Sequence, residues 1–183
     1  MSDIVVVYHS GYGHTRKVAA HLAKAAEAEL LAIDDNRDLH ESAWDKLAPA
    51  KTIVFGAPTY MANVRWKSKK FADLAPKIWY TRSSQNTLYD GYSNRASPVG
   101  DKGLTLSWLQ TLAAQHGGLW ISLGMLPSNT KAAKNTDLNA LGGSTGLLVQ
   151  SPSDASVDEI PQGGLDTAAA FGTRIADITK KFV

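Results

Sequence analysis

The 183 residues contain no cysteine. That absence removes disulfides, thiolate nucleophiles and cysteine metal sites, and it fits a reducing compartment, so a cytoplasmic location is expected. No apolar run approaches the ~20 residues needed to cross a bilayer, and no membrane span is expected. The chain enters an apolar run directly after Met1-Ser2-Asp3, with neither a basic leader nor a cleavage site. There is no Gly-x-Ser-x-Gly elbow and no glycine loop ending in Gly-Lys-Ser/Thr, which argues against a hydrolase triad and a Walker loop. His9 and His14 do not stand at helical ligand spacing and no carboxylate cluster joins them, so no metal is expected. A dominant charge is also lacking: 19 Lys+Arg against 17 Asp+Glu leave a net charge of +2. The densest basic cluster, residues 65–70, has the size of a solvated helix face, and nucleic acid is not an expected partner.

What is present begins with Tyr8-His9-Ser10-Gly11-Tyr12-Gly13-His14-Thr15. It follows Ile4-Val5-Val6-Val7, an apolar run typical of a fully buried strand, and it leads into a helical pattern. A strand, a tight polar turn and a helix start are the parts of an anion cradle. The helix N-terminus offers unpaired N–H groups and a partial positive charge. Gly11 and Gly13 permit a tight turn, and Ser10, His14 and Thr15 add side-chain donors. A third glycine three residues after Gly13 is missing, so this is not the dinucleotide fingerprint.

The hydrophobic periodicity predicts alternating strands and helices over the whole chain. Helices are expected over 15–29, 65–79, 104–116 and 165–182. Strands are expected over 4–7, 30–33, 52–57, 87–92 and 119–123, with strand character resuming over 146–150. The connection after the second strand runs from Asp34-Asp35-Asn36 and is anchored by Leu39, Trp44 and Leu47. Pro76 is expected to kink the last turn of the 65–79 helix. The strand over 87–92 is compromised by Asp90, which a buried central strand does not normally accept. Residues 124–144 form a long polar loop, of a length that is usually functional or stabilised by assembly. The fold expected is α/β: a single domain over 1–183, built on a doubly wound five-stranded parallel sheet. Ligands of such sheets bind beyond the C-terminal strand ends. Three loops leave those ends, carrying residues 10–15, 58–63 and 93–101, and they would converge on one cleft.

These pieces resemble a known family. Tyr8-His9-Ser10-Gly11-Tyr12-Gly13-His14-Thr15, Gly56-Ala57-Pro58-Thr59-Tyr60-Met61, Ile78-Trp79, Ala114-Gln115-His116-Gly117-Gly118 and Leu165-Asp166-Thr167-Ala168 occur in family order. The chain resembles the flavodoxin-like NAD(P)H:quinone oxidoreductases of the WrbA type. The resemblance implies a flavodoxin-like sheet of strand order 2-1-3-4-5, FMN as cofactor, and two-electron transfer from NADH or NADPH to a quinone by a ping-pong cycle. It gives Ser10, Gly11, Tyr12, Gly13, His14 and Thr15 to the FMN phosphate. It gives Pro58, Thr59, Tyr60 and Met61 to the flavin edge and ribityl side, and Ser93, Asn94, Ala96, Ser97, Gly100 and Asp101 to the pyrimidine end. Tyr12, Trp79 and His116 match positions lining the space where nicotinamide and quinone alternate, with His116 as hydrogen-bond donor or proton relay. It also implies a homo-oligomer, dimer or tetramer.

Two places depart from the family pattern. Arg95 is bulky and charged in a loop where small residues are favoured, and Arg65, Trp66 and Lys67 stand where the family has small or polar residues. Three other readings remain open on the same fold: an NAD(P)H-dependent FMN reductase, a flavodoxin-type electron carrier, and a flavin-free binding protein. Carriers of this family are typically acidic, so a pI near 8.8 argues against the carrier. No residue that would read the ribose of NADH against NADPH can be assigned.

Overall fold

The computed structural model describes residues 2–33 and 41–182. The expected start of the connection at Asp34-Asp35-Asn36 and its anchor Leu39 lie outside them. β1 (Ile4–Tyr8) is buried at every position, as its β-branched run requires for a strand covered on both faces. It is followed by α1 (His14–Ala26), β2 (Glu29–Ala32), α2 (Glu41–Leu47) and β3 (Thr52–Tyr60). Then come β4 (Asn63–Val64), α3 (Trp66–Asp73), α4 (Pro76–Thr81), β5 (Leu88–Arg95) and α5 (Lys102–Gln115). β6 (Leu119–Trp120), β7 (Leu147–Gln150) and α6 (Gln162–Lys181) complete the chain.

The sheet corrects the expected count. Five positions lie in the order β2-β1-β3-β5-β6, and seven strands take part. β4 is an antiparallel partner at the end of β3, with Thr59 opposite Val64 and Tyr60 opposite Asn63. The fifth position is shared. β6 pairs with the start of β5 (Leu88 with Leu119), and β7 pairs with its end (Tyr92 with Leu147 through Arg95 with Gln150). Residues 121–146 leave the edge between them, so the expected strand over 119–123 ends after two residues. The chain needs both pieces because β5 is eight residues long and neither β6 nor β7 can pair all of it.

Two apolar layers cover the sheet. Val6, Tyr8, Val54, Tyr92 and Val149 meet α1 and α6 through Val18, Leu22, Phe171 and Ile175. On the other face Val5, Val7, Ile53, Phe55 and Tyr89 meet Phe71, Leu106 and Leu109. Trp44 stacks on Phe71 with ring centroids 5.1 Å apart. The helix expected over 65–79 is two helices. α3 ends at Asp73, and Pro76 opens α4, a first-turn position where its missing N–H is not needed and its fixed φ is already helical. Among the described residues no helix is long and apolar enough to cross a membrane.

Candidate functional site

β1, β3, β5 and β7 all end on one side of the sheet, and the four loops leaving them enclose a cavity of about 670 Å³. That volume lies in the range of small-molecule and cofactor sites. Tyr12 and His14 line it from the first loop, Pro58, Thr59, Tyr60 and Met61 from β3, and Asn94, Arg95 and Ala96 from β5. The three loops picked out in the sequence therefore do converge.

The first loop is held by its own hydroxyl groups. Ser10 Oγ accepts from the Gly13 N–H (3.1 Å) and the Arg16 N–H (3.2 Å). Gly13 has φ 94° and gives α1 no side-chain cap, and no acidic residue occupies the first turn. The start of α1 is thus left with positive character and no carboxylate to neutralise it. Beneath the loop, Thr15 Oγ1 donates to Asn94 Oδ1 (2.6 Å), Asn94 Nδ2 donates to Ser151 Oγ (2.9 Å), and the Ser151 N–H donates to the Arg95 carbonyl (3.1 Å). Tyr92 Oη donates to the Thr15 carbonyl at 3.0 Å. A chain of buried hydrogen bonds thereby fixes the first loop to the ends of β5 and β7. A second buried set joins Thr59 to Ser93 (2.7 Å) and Thr105 (2.8 Å), which sets the floor of the cavity.

The third loop is tied by two cations. Lys102, only 1% exposed, donates to the Ser97 carbonyl (2.8 Å) and the Pro98 carbonyl (2.6 Å). Burial, with the Arg95 charge adding, pushes its ammonium down to about 8. Arg95 Nη1 donates to the Gly100 carbonyl at 3.0 Å and lies 3.5 Å from Asp101 Oδ2. Arg95 therefore braces its loop while also lining the cavity. Ser97, Gly100 and Asp101 are not lining residues; Asp101 stands at the N-terminus of α5 with φ 57°.

The mouth is marked by Tyr12, 75% exposed, and Met61, 92% exposed. Met61 and Ala62 form the two-residue turn between β3 and β4, with φ 47° and 65°. Two left-handed residues in a tight hairpin are normally Asn and Gly. Ala62→Gly is expected to stabilise the protein by roughly 0.5–1 kcal/mol, the left-handed penalty offset in part by glycine's greater unfolded entropy. Urea denaturation of the variant checks this; an unchanged or lower midpoint would show that the turn holds no strain.

Two expected residues do not join the cavity. His116 follows the C-terminal end of α5, and the helix's 14 residues carry it about 20 Å from the N-terminal end at Asp101. Its Nδ1 lies 3.1 Å from Ser84 Oγ, and it sits among Trp44, Phe71, Tyr89 and Leu112, where burial lowers its pKa. Trp79, 47% exposed, is on α4 and packs beside Tyr80. One wall of the cavity was not anticipated. Residues 151–157 line it with Ser151, Ser153, Ser156 and Val157 among them. His14 Nε2 lies 3.0 Å from the Ala155 carbonyl, and Lys17 pairs with Asp158 at 2.9 Å. The signal was available: a polar Ser151-Pro152-Ser153-Asp154 run leaves the end of a parallel strand, where ligands of such sheets bind.

The architecture and the cleft agree with what the chain is similar to. A flavodoxin-domain family model matches residues 5–84. The chain is 50% identical over 178 residues to flavodoxin FldP of Pseudomonas aeruginosa, covering 97% of both chains. The chain belongs to the flavodoxin family. Among solved structures, a WrbA-like flavodoxin from Agrobacterium tumefaciens superposes with TM-score 0.80 at 40% identity, over 97% of each chain. An NAD(P)H dehydrogenase (quinone) of Acidithiobacillus ferrooxidans is 26% identical over 202 residues, 99% of this chain and 98% of that one. Flavodoxin family membership implies a flavin, FMN, as cofactor. The site fits it: a cavity of sufficient volume, bounded by a helix start without acidic residues and floored by satisfied hydroxyl groups, leaves an anionic group its place at the first loop.

Proposed function

We propose that the protein is a flavodoxin-type electron carrier that holds FMN in the cleft formed by residues 10–15, 58–61, 93–101 and 151–157. Bound FMN supplies the redox chemistry. The chain's own groups bind and tune it. The N–H groups at the start of α1, with Ser10, Gly11, Gly13, His14 and Thr15, take the phosphate. Pro58, Thr59, Tyr60 and Met61 flank the ribityl side and flavin edge. From the third loop Asn94, Arg95 and Ala96 face the cavity and would meet the pyrimidine end, where negative charge accumulates on reduction; Ser93, Ser97, Gly100 and Asp101 stand behind them. Tyr60, whose pKa is raised by burial against the opposing charge of Arg65, stays a neutral phenol. Exposed Tyr12 and Met61 leave the flavin edge accessible to a redox partner.

The observation that carries this reading is the position of His116 and Trp79, away from the cavity within one chain. Of the three residues expected to form the wall that nicotinamide and quinone would share, the single chain brings only Tyr12 to the cavity. A second reading, two-electron transfer from NAD(P)H to a quinone, is favoured by the likeness to the WrbA-like flavodoxin and the quinone dehydrogenase. It requires a homo-oligomer, dimer or tetramer, in which a neighbouring copy supplies His116 and Trp79.

The test begins with FMN titration of the apoprotein, followed by anaerobic redox titration and then NADH or NADPH with a quinone. The expected outcome is one FMN per chain, two separated one-electron midpoints, and slow NAD(P)H oxidation that quinone does not accelerate. Rapid quinone-dependent NAD(P)H oxidation would establish the second reading instead. A folded protein that takes up no FMN would overturn both.

A further inference from the structure

We propose that Arg65 is a phosphate-reading residue, selecting the phosphorylated flavin over the unphosphorylated one. The proposal rests on the FMN reading above and adds a residue that neither the family motif nor the cavity lining points to.

Arg65 precedes α3 in extended conformation, φ −65° and ψ 151°. Its side chain, half-buried, turns back over the Tyr60 ring, with Cζ 5.5 Å from the centroid. The guanidinium then reaches the first loop. A methyl group on Gly11 would lie 2.5 Å from Arg65 Nη1 and 3.8 Å from Cζ, beside the Tyr60 hydroxyl at 3.8 Å. Gly11 is therefore the residue that lets the cation rest against the loop. Its other neighbours do not neutralise it. Tyr60 is a neutral phenol. His9, whose Nε2 is buried without a partner, has its pKa lowered first by burial and further by the charges of Arg65 and Lys67. Among the described residues the Arg65 guanidinium meets no carboxylate, while Lys69, on the same segment, is paired with Asp73.

A guanidinium presents a planar fork of donors matched to phosphate oxygens, and its bonds to an anion are roughly twice as strong as neutral ones. Held by Tyr60 at the edge of a loop with no acidic residue in its helix start, it is a fixed cation awaiting the dianion of FMN. Riboflavin has the same ring and ribityl chain without that charge.

The experiment titrates wild type, Arg65→Ala, Arg65→Lys and Gly11→Ala apoprotein with FMN and with riboflavin, at low and high salt. Arg65→Ala is expected to weaken FMN binding roughly 10- to 100-fold, the size of a hydrogen bond to a charged group, while riboflavin affinity stays unchanged. The salt dependence of FMN binding should flatten with it. Arg65→Lys should fall between, keeping the charge without the fork. Gly11 has no left-handed φ, so Gly11→Ala should fold normally, displace the guanidinium and lose FMN selectivity in the same direction. The proposal is overturned if wild type binds FMN tightly and Arg65→Ala leaves it unchanged, or weakens riboflavin equally. Wild type that binds neither flavin would overturn the FMN reading itself, and this proposal with it.

Discussion

Gly56→Ala is expected to destabilise the protein by about 3 kcal/mol or more, at the upper end for overpacking a core, and to weaken flavin binding with it. Gly56 lies mid-sheet on β3, opposite Tyr8 of β1 and Tyr92 of β5. A Cβ there would lie 2.2 Å from Tyr92 Oη, 2.3 Å from Cζ and 2.5 Å from Cε1. The overlap is with a ring rather than a flexible chain end, and Tyr92 is 0% exposed, so it has nowhere to retreat. Its hydroxyl is also the anchor of the Thr15 carbonyl. Moving the ring breaks that bond and loosens the start of α1, where the phosphate is to be held. Tyr92→Phe is the control: it removes the anchor alone and should cost about 1 kcal/mol. Adding it to Gly56→Ala should rescue little, because Cζ remains within 2.3 Å. Urea unfolding and FMN titration of the three variants read both effects. A Gly56→Ala midpoint equal to wild type would show that the sheet opens to admit a methyl group.

Much of this arrangement was legible in the sequence, for identifiable physical reasons. The buried β1 run and the polar turn after it could be read because periodicity and loop chemistry agree there. Local signals also place the buried faces of α1 and α6. The split fifth position could not be read. Leu119-Trp120-Ile121-Ser122-Leu123 has the apolar character of one strand, yet only two residues pair, since β7 occupies the far half of β5. Pairing is a long-range choice that local pattern does not encode. The same applies to His116. Its place in the chain matches a family position, but the length of α5 decides which end of the sheet it occupies, and that end is not the cavity's.

The basic pI does not decide between the carrier and the enzyme. Net charge bears on association and solubility rather than on the chemistry of a site. Half of the chain's sequence is shared with a named flavodoxin, whereas the likeness to a quinone dehydrogenase is at 26% identity. A basic carrier differs from an acidic one in the charge of the partner it meets, and Arg95 and Lys102, bonded to the carbonyls of the third loop, hold part of the positive charge within the site's own framework.

Removing the ionisable group of Asp90 should stabilise the fold at neutral pH and above. It sits on central β5 opposite Val54, wholly buried. One oxygen accepts from the Gly91 N–H, and Oδ2 has no partner. Burial raises its pKa well above the ordinary carboxylate value, against the weaker opposing influences of the Gly91 bond and the Arg174 charge. The native state therefore retains a proton that the unfolded chain releases above about pH 4. Stability from this group is full below that pH and is lost as pH rises toward the folded pKa. Asp90→Asn keeps the acceptor for Gly91 and abolishes the ionisation. It is expected to raise stability at pH 8 by about 1–3 kcal/mol, because the unfolded chain no longer gains by ionising this group, and to change little at pH 4. Arg174 loses nothing essential, because its Nε donates to the Ser122 carbonyl at 3.2 Å. Urea denaturation of both proteins at pH 4, 6 and 8 decides the matter. Parallel profiles would mean that Asp90 is charged and compensated in the native state, and a less stable Asp90→Asn at pH 8 would assign that compensation to Arg174.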